Sequence, residues 1–123
     1  MSGSKFLLDT NSVLYILNGD QTLSNFLFEK ELFVSVITEM ELLAYKNITE
    51  AEKQIIENFL AELVIINIDD KVKLNSIEVK KNSGMKLPDS IIAGTAITLK
   101  LPLITSDKQF KTIEGLNLLY YEK

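Results

Sequence analysis

The chain has 123 residues, a formal charge of −4 and a sequence pI of about 4.8; 46% of its residues are apolar and its mean hydropathy is +0.13. That suits one domain with a real core and excludes a disordered chain. It holds neither cysteine nor histidine, which rules out a disulfide framework, a thiol nucleophile, an imidazole base and the usual zinc sites. The acidic balance argues against a nucleic-acid binder unless some acids are neutralised locally by an ion. All 13 basic residues are lysine, so phosphate contacts must be of the point-charge kind. No apolar run approaches the ~20 residues of a membrane helix, and the N-terminus lacks a secretory pattern. The expectation is a cytoplasmic protein with no membrane partner.

Met1–Ser4 reads as a flexible leader, of the kind a cloning vector leaves, and residues 5–123 as a single domain. Residues 5–9 read as a buried strand ending in Asp9, and Asn11–Asn18 as a helix with Val13, Leu14 and Leu17 on one side. Gly19-Asp20 punctuates, and residues 21–29 form a second short helix bearing Leu23, Phe26 and Leu27. Glu31–Val36 is strand-like. Thr38 and Glu41 then have capping-box spacing, with Ile37 and Leu42 placed as a hydrophobic staple, which predicts a helix start with Glu41 in its first turn.

Thr49 and Glu52 repeat the box and open a helix to about Ala61, striped by Ile55, Ile56, Phe59 and Leu60. Leu63–Ile68 is a near-continuous aliphatic strand of the sort buried on both faces of a parallel sheet. Residues 70–83 form a lysine-rich helix closed by Gly84. Pro88–Leu99 is apolar on most sides and therefore central. Leu101–Thr105 and Leu116–Tyr120 are the last strands. This alternation, free of repeats, predicts an α/β fold: a three-layer α/β/α sandwich with a central, mainly parallel sheet of four to five strands.

In that topology four acids arrive at the edge where strands end. Asp9 ends the first strand, Glu41 follows the second, and Asp107 follows Leu101–Thr105 by two residues. Asp89 begins a helix of about twelve residues, ~18 Å long, matching the height of a short strand, so its start returns to the same edge. Singly, each acid has a plainer role as a strand-end cap, a box partner, a helix-start acid or a turn residue. Together they need relief. Two carboxylates at about 4 Å repel by about 4 kcal/mol at an effective dielectric of 20, so a shared crevice calls for a cation or for raised proton affinity. Oxygen-only donors favour Mg²⁺, Mn²⁺ or Ca²⁺.

Leu7-Leu8-Asp9-Thr10-Asn11, Ser35 to Leu42, Leu87-Pro88-Asp89-Ser90-Ile91-Ile92-Ala93 and Leu103-Ile104-Thr105-Ser106-Asp107 resemble, in order and spacing, the four acidic motifs of PIN (PilT N-terminus) domains. Within that family they are most similar to VapC-type toxins, and the resemblance runs from Phe6 to about Tyr120. It implies a metal-dependent ribonuclease, the toxin of a toxin–antitoxin pair, with Asp9, Glu41, Asp89 and Asp107 as catalytic and metal-binding acids. It implies Mg²⁺ or Mn²⁺ as cofactor, RNA as substrate, products with 5′-phosphate and 3′-hydroxyl ends, a homodimer, and an antitoxin whose segment covers the site. Asn11, Thr105 and Ser106 match positions that orient ligands or water around such a site. Arginines common in the family near the third and fourth motifs are absent, with Ser106 and Lys108 in that neighbourhood.

Lys80, Lys81, Lys86, Lys108 and Lys111 flank Asp89 and Asp107 and are candidates for a positive rim, or simply solvated lysines. Tyr15, Phe26, Phe28 and Tyr45 are candidates for partner surfaces, with core positions expected for most. Two rival readings stand beside the nuclease. One is a non-catalytic PIN-like domain that binds RNA or protein. The other is a receiver-like signalling module, disfavoured because Asp9 is single and the Asp69/Asp70 pair follows the third strand.

Overall fold

The computed structural model describes residues 4–123, so the leader expected at Met1–Ser4 lies, but for Ser4, outside the described residues. Ser4 itself accepts the Glu31 N–H through its carbonyl at 2.8 Å. The elements follow in the order β1 (Lys5–Leu8), α1 (Thr10–Leu17), α2 (Gln21–Leu27), β2 (Glu31–Ser35), α3 (Val36–Leu43) and α4 (Glu50–Leu60). Then come β3 (Val64–Ile66), α5 (Asp70–Ser83), α6 (Leu87–Leu99), β4 (Leu103–Thr105), a 3-10 turn at Lys108–Thr112 and β5 (Leu118–Tyr120).

Five strands pair in the order β3-β2-β1-β4-β5, every pair parallel. Receiver-like sheets run 2-1-3-4-5, so the pairing order removes that reading. Period-two alternation splits β1 and β4 between two cores. Phe6, Leu8 and Ile104 join Val13, Leu23, Leu42, Ile56 and Leu60 on one face, while Leu7 and Leu103 join Val79, Ile92, Ala96 and Phe110 on the other. Leu7, Leu8, Leu103 and Ile104 are wholly buried, each contributing roughly 1.5–3 kcal/mol relative to exposure. The central strands are what the two helical layers close upon.

Local signals explain most boundaries. Thr49 and Glu52 form the expected reciprocal box, and Gly84 closes α5 with φ 73° in the left-handed region. Helix α6 buries Ser90, Ile92, Ala93, Gly94, Thr95 and Ala96, as its all-round apolar pattern predicted.

Four expectations are corrected. Helix α3 starts at Val36, because the Ser35 hydroxyl accepts the Ile37 N–H at 3.0 Å and caps two residues earlier than Thr38 would. Glu41 therefore lies in the second turn. Strand β3 is an edge strand with Val64 exposed, since it has β2 as its one neighbour. Strand β4 begins at Leu103, after left-handed Lys100 and after Pro102, which has no N–H to give the ladder. Phe26, Phe28 and Tyr45 are exposed, whereas Tyr15 packs beside the core with its ring centroid 6.3 Å from that of Tyr121.

Candidate metal and active site

Because all five strands are parallel, their carboxyl ends share one edge, and the residues after β1, β2 and β4 emerge there together. Asp9 follows β1, Glu41 rides on α3 after β2, and Asp107 follows β4. Asp89 arrives from the other direction, in the first turn of α6, where Pro88 needs no N–H partner. All four line one open pocket of about 370 Å³, together with Thr10, Asn11, Tyr45, Ile92 and Phe110.

Asp9 is only 4% exposed. One of its oxygens caps α1 by accepting the Ser12 N–H at 2.8 Å, and the other accepts the Thr105 hydroxyl at 2.5 Å. Thr105 Oγ1 accepts in turn from the Asp107 N–H at 3.0 Å, so one threonine ties two of the acids together. Asp107 caps the 3-10 turn, accepting from the Gln109 backbone at 2.9 Å. Glu41 Oε1 accepts the Thr10 hydroxyl at 2.5 Å. The capping roles that each acid could have had alone are real for Asp9 and Asp107, and they hold those carboxylates in place for a second use.

Asp9 and Asp89 feel the charges of their acidic neighbours. Burial pushes the Asp9 carboxyl above its ordinary value; hydrogen bonds from Thr105 and Ser12 pull it back, and the Asp107 charge raises it further. Asp89 is also raised, first by burial and then by Asp107, Glu41 and Asp9, with Lys86 opposing. Yet among the described residues no three acids are placed to hold one ion as the side chains stand. The oxygens that the four acids bring to this pocket are nonetheless the donor type that suits a hard divalent ion.

Of the neighbouring polar residues, Asn11 lines the pocket and Thr105 bridges Asp9 and Asp107. Ser106 is turned elsewhere, its hydroxyl donating to the Tyr121 carbonyl at 2.6 Å. Lys80 donates to the Met85 carbonyl, Lys81 pairs with Glu78, and Lys111 sits 4.0 Å over the Tyr120 ring. Lys86 is the lysine whose charge Asp89 feels. Sequence reasoning gave no role to Thr10, Ile92 or Phe110. The last two follow Asp89 and Asp107 by three residues, a helical spacing that could have found them.

Over residues 6–116 the sequence matches the family model described as the PIN domain. The chain belongs to the PIN domain family. This PIN domain superposes on a toxin–antitoxin complex from Klebsiella pneumoniae with a TM-score of 0.82 at 29% identity, covering 96% of this chain and 99% of that one. VapBC2 from Rickettsia felis, bound to a promoter DNA fragment, gives a TM-score of 0.85 at 23% identity with the same coverages, 96% and 99%. DNA-bound VapBC from Salmonella typhimurium gives 0.82 at 22%, covering 94% and 97%. At those lower identities the likeness bears on the fold alone. No curated protein matches the chain by sequence.

Proposed function

We propose that this PIN domain is a divalent-metal-dependent ribonuclease of the cytoplasm and the toxin of a toxin–antitoxin pair. The observation that carries the reading is the convergence of Asp9, Glu41, Asp89 and Asp107 on one pocket, where three of them raise the proton affinity of the fourth. Carboxylates gathered at such electrostatic cost are a natural seat for Mg²⁺ or Mn²⁺. Bound there, a divalent ion supplies Lewis-acid chemistry, acidifying water and offsetting charge on a phosphodiester.

The chain's own groups do the rest. Thr105 and Ser12 fix Asp9 through both carboxylate oxygens, so its orientation does not depend on substrate. Asp89 and Asp107, at the pocket wall, are the candidates to take the proton released by the attacking water. Breaking the P–O3′ bond would leave 5′-phosphate and 3′-hydroxyl ends. Lys86 and Lys108, beside Asp89 and Asp107, supply point charges for the RNA backbone.

A partner fits the same frame. A groove of about 410 Å³, lined by Leu14, Leu17, Ile48, Ile55 and Ile56, shares Tyr45 with the acid pocket, so an antitoxin segment lying in it would pass directly to the site. Exposed Leu74 and Ile77 on α5 suit the homodimer.

The test is cleavage of total cellular RNA by metal-free protein with and without Mn²⁺, beside Asp9→Asn. Wild type should cleave only with the ion, and the variant should fall to background while keeping its circular dichroism. Undiminished cleavage by Asp9→Asn would remove the proposed role. The alternative reading is a non-catalytic PIN-like domain that binds RNA or protein; RNA retention without any cleavage in the presence of Mn²⁺ would establish it.

A further inference from the structure

Glu41 is the odd member of the four acids. It sits exposed on the second turn of α3, where a glutamate with several rotatable bonds ordinarily samples many rotamers. Here it is held. Thr10, the first residue of α1, places Oγ1 2.5 Å from Glu41 Oε1 and 3.0 Å from Thr38 Oγ1. Thr38 is wholly buried and lies one turn before Glu41 on the same helix.

The direction of each hydrogen follows from valence. An ionised carboxylate only accepts, so the single hydroxyl proton of Thr10 goes to Glu41, and Thr10 must then accept from Thr38. The order is Thr38 to Thr10 to Glu41. Across the pocket the same logic runs from the Asp107 N–H to Thr105 and on to Asp9. Each side of the site thus has a hydroxyl that donates to one acid while its own oxygen is occupied by a fixed donor.

We propose that Thr10, oriented by Thr38, is a positioning residue that fixes the Glu41 carboxylate for ion binding. The inference rests on the metal reading above and deepens it. Asp9 and Thr10 are consecutive, so one short segment would contribute an acid directly and set the aim of a second. A carboxylate already restrained loses less conformational freedom when the ion draws the four acids together, and that difference appears as affinity.

Calorimetric titration of metal-free protein with Mn²⁺ tests this without relying on activity. Thr10→Ser keeps the hydroxyl and should bind within about two-fold of wild type, whereas Thr10→Val keeps the shape and should bind about ten-fold more weakly, the lower end for loss of an outer-shell partner. In a Glu41→Ala background, Thr10→Val should cause no further loss. Should Thr10→Val fail to fold, Thr38→Val takes its place, with a smaller loss in the same direction expected. Unchanged affinity in Thr10→Val, an equal loss in Thr10→Ser, or a further loss without Glu41 would each overturn the assignment while leaving the metal reading standing. A wild type that does not bind Mn²⁺ overturns both.

Discussion

A carboxylate buried as deeply as Asp9 gives up most of its hydration, and the hydrogen bonds from Ser12 and Thr105 return only part of it. Asp9 and Asp89 both have folded-state values above 3.8, so their contribution to stability is complete below that value and is lost as pH rises through the folded values. In EDTA, Asp9→Asn should therefore melt at or above the wild-type temperature at pH 7, and the advantage should shrink toward pH 4. Thermal unfolding at the two pH values measures it. At a Mn²⁺ concentration 100 times its dissociation constant, wild type at pH 7 should gain about 2.7 kcal/mol, while Asp9→Asn should gain far less. A variant less stable than wild type without metal would show that the cap on α1 outweighs the buried charge.

At the scale of elements, the sequence was most legible where one local signal acted alone. Thr49 and Glu52 box α4, Gly84 ends α5, and the all-round apolar pattern of α6 marks it as central. It was misread where two signals competed. Ser35 and Thr38 could each cap α3; the strand delivers Ser35 to the right place first, and Thr38 is freed to face Thr10. Nothing in the aliphatic run Leu63–Ile68 says that it would lie at the sheet's edge, because burial on a second side depends on pairing order.

The packing of α5 on α6 was equally invisible. A Cβ added at Gly94 would lie 2.2 Å from Ser76 Oγ and 2.8 Å from the Ser76 backbone nitrogen, so the helices touch where glycine leaves room. The hydroxyl could turn aside, but the backbone cannot. Gly94→Ala should cost about 1–3 kcal/mol by overpacking, despite the better helix propensity of alanine. Urea unfolding with an unchanged slope would register it as a shifted midpoint.

Across the whole molecule, the gathering of acids could be read from sequence because parallel strands of similar length put all their carboxyl ends on one edge, whatever their order. What could not be read is how distant segments hold that edge together. Ser106 shows the difference: the family resemblance implied a role in orienting ligand or water, but its hydroxyl donates to the Tyr121 carbonyl. The Tyr121 N–H donates to the Thr105 carbonyl at 2.7 Å, and its phenol donates to Asp20, at 2.9 and 2.8 Å from the two carboxylate oxygens. Lys123 reaches the same carboxylate at 3.2 Å. The segment after β5 therefore straps the turn between α1 and α2 to the residues that lead into Asp107.

Asp20 is held below its ordinary value, first by the Leu23 N–H that it caps and then by Tyr121 and Lys123. A lowered acid stabilises the fold above its unfolded value near 3.8 and ceases to do so as pH falls through the folded value. Tyr121→Phe should therefore lower the melting temperature at pH 7, and the deficit should narrow only below about pH 3.8, when Asp20 takes up its proton. Lys123→Ala should lower it less, since that ammonium is half-exposed and screened by salt. If the strap also steadies Asp107, Tyr121→Phe will weaken Mn²⁺ binding at a temperature where the variant is fully folded. If its role is confined to closing the molecule, stability will fall and the ion affinity will stay as it is in wild type.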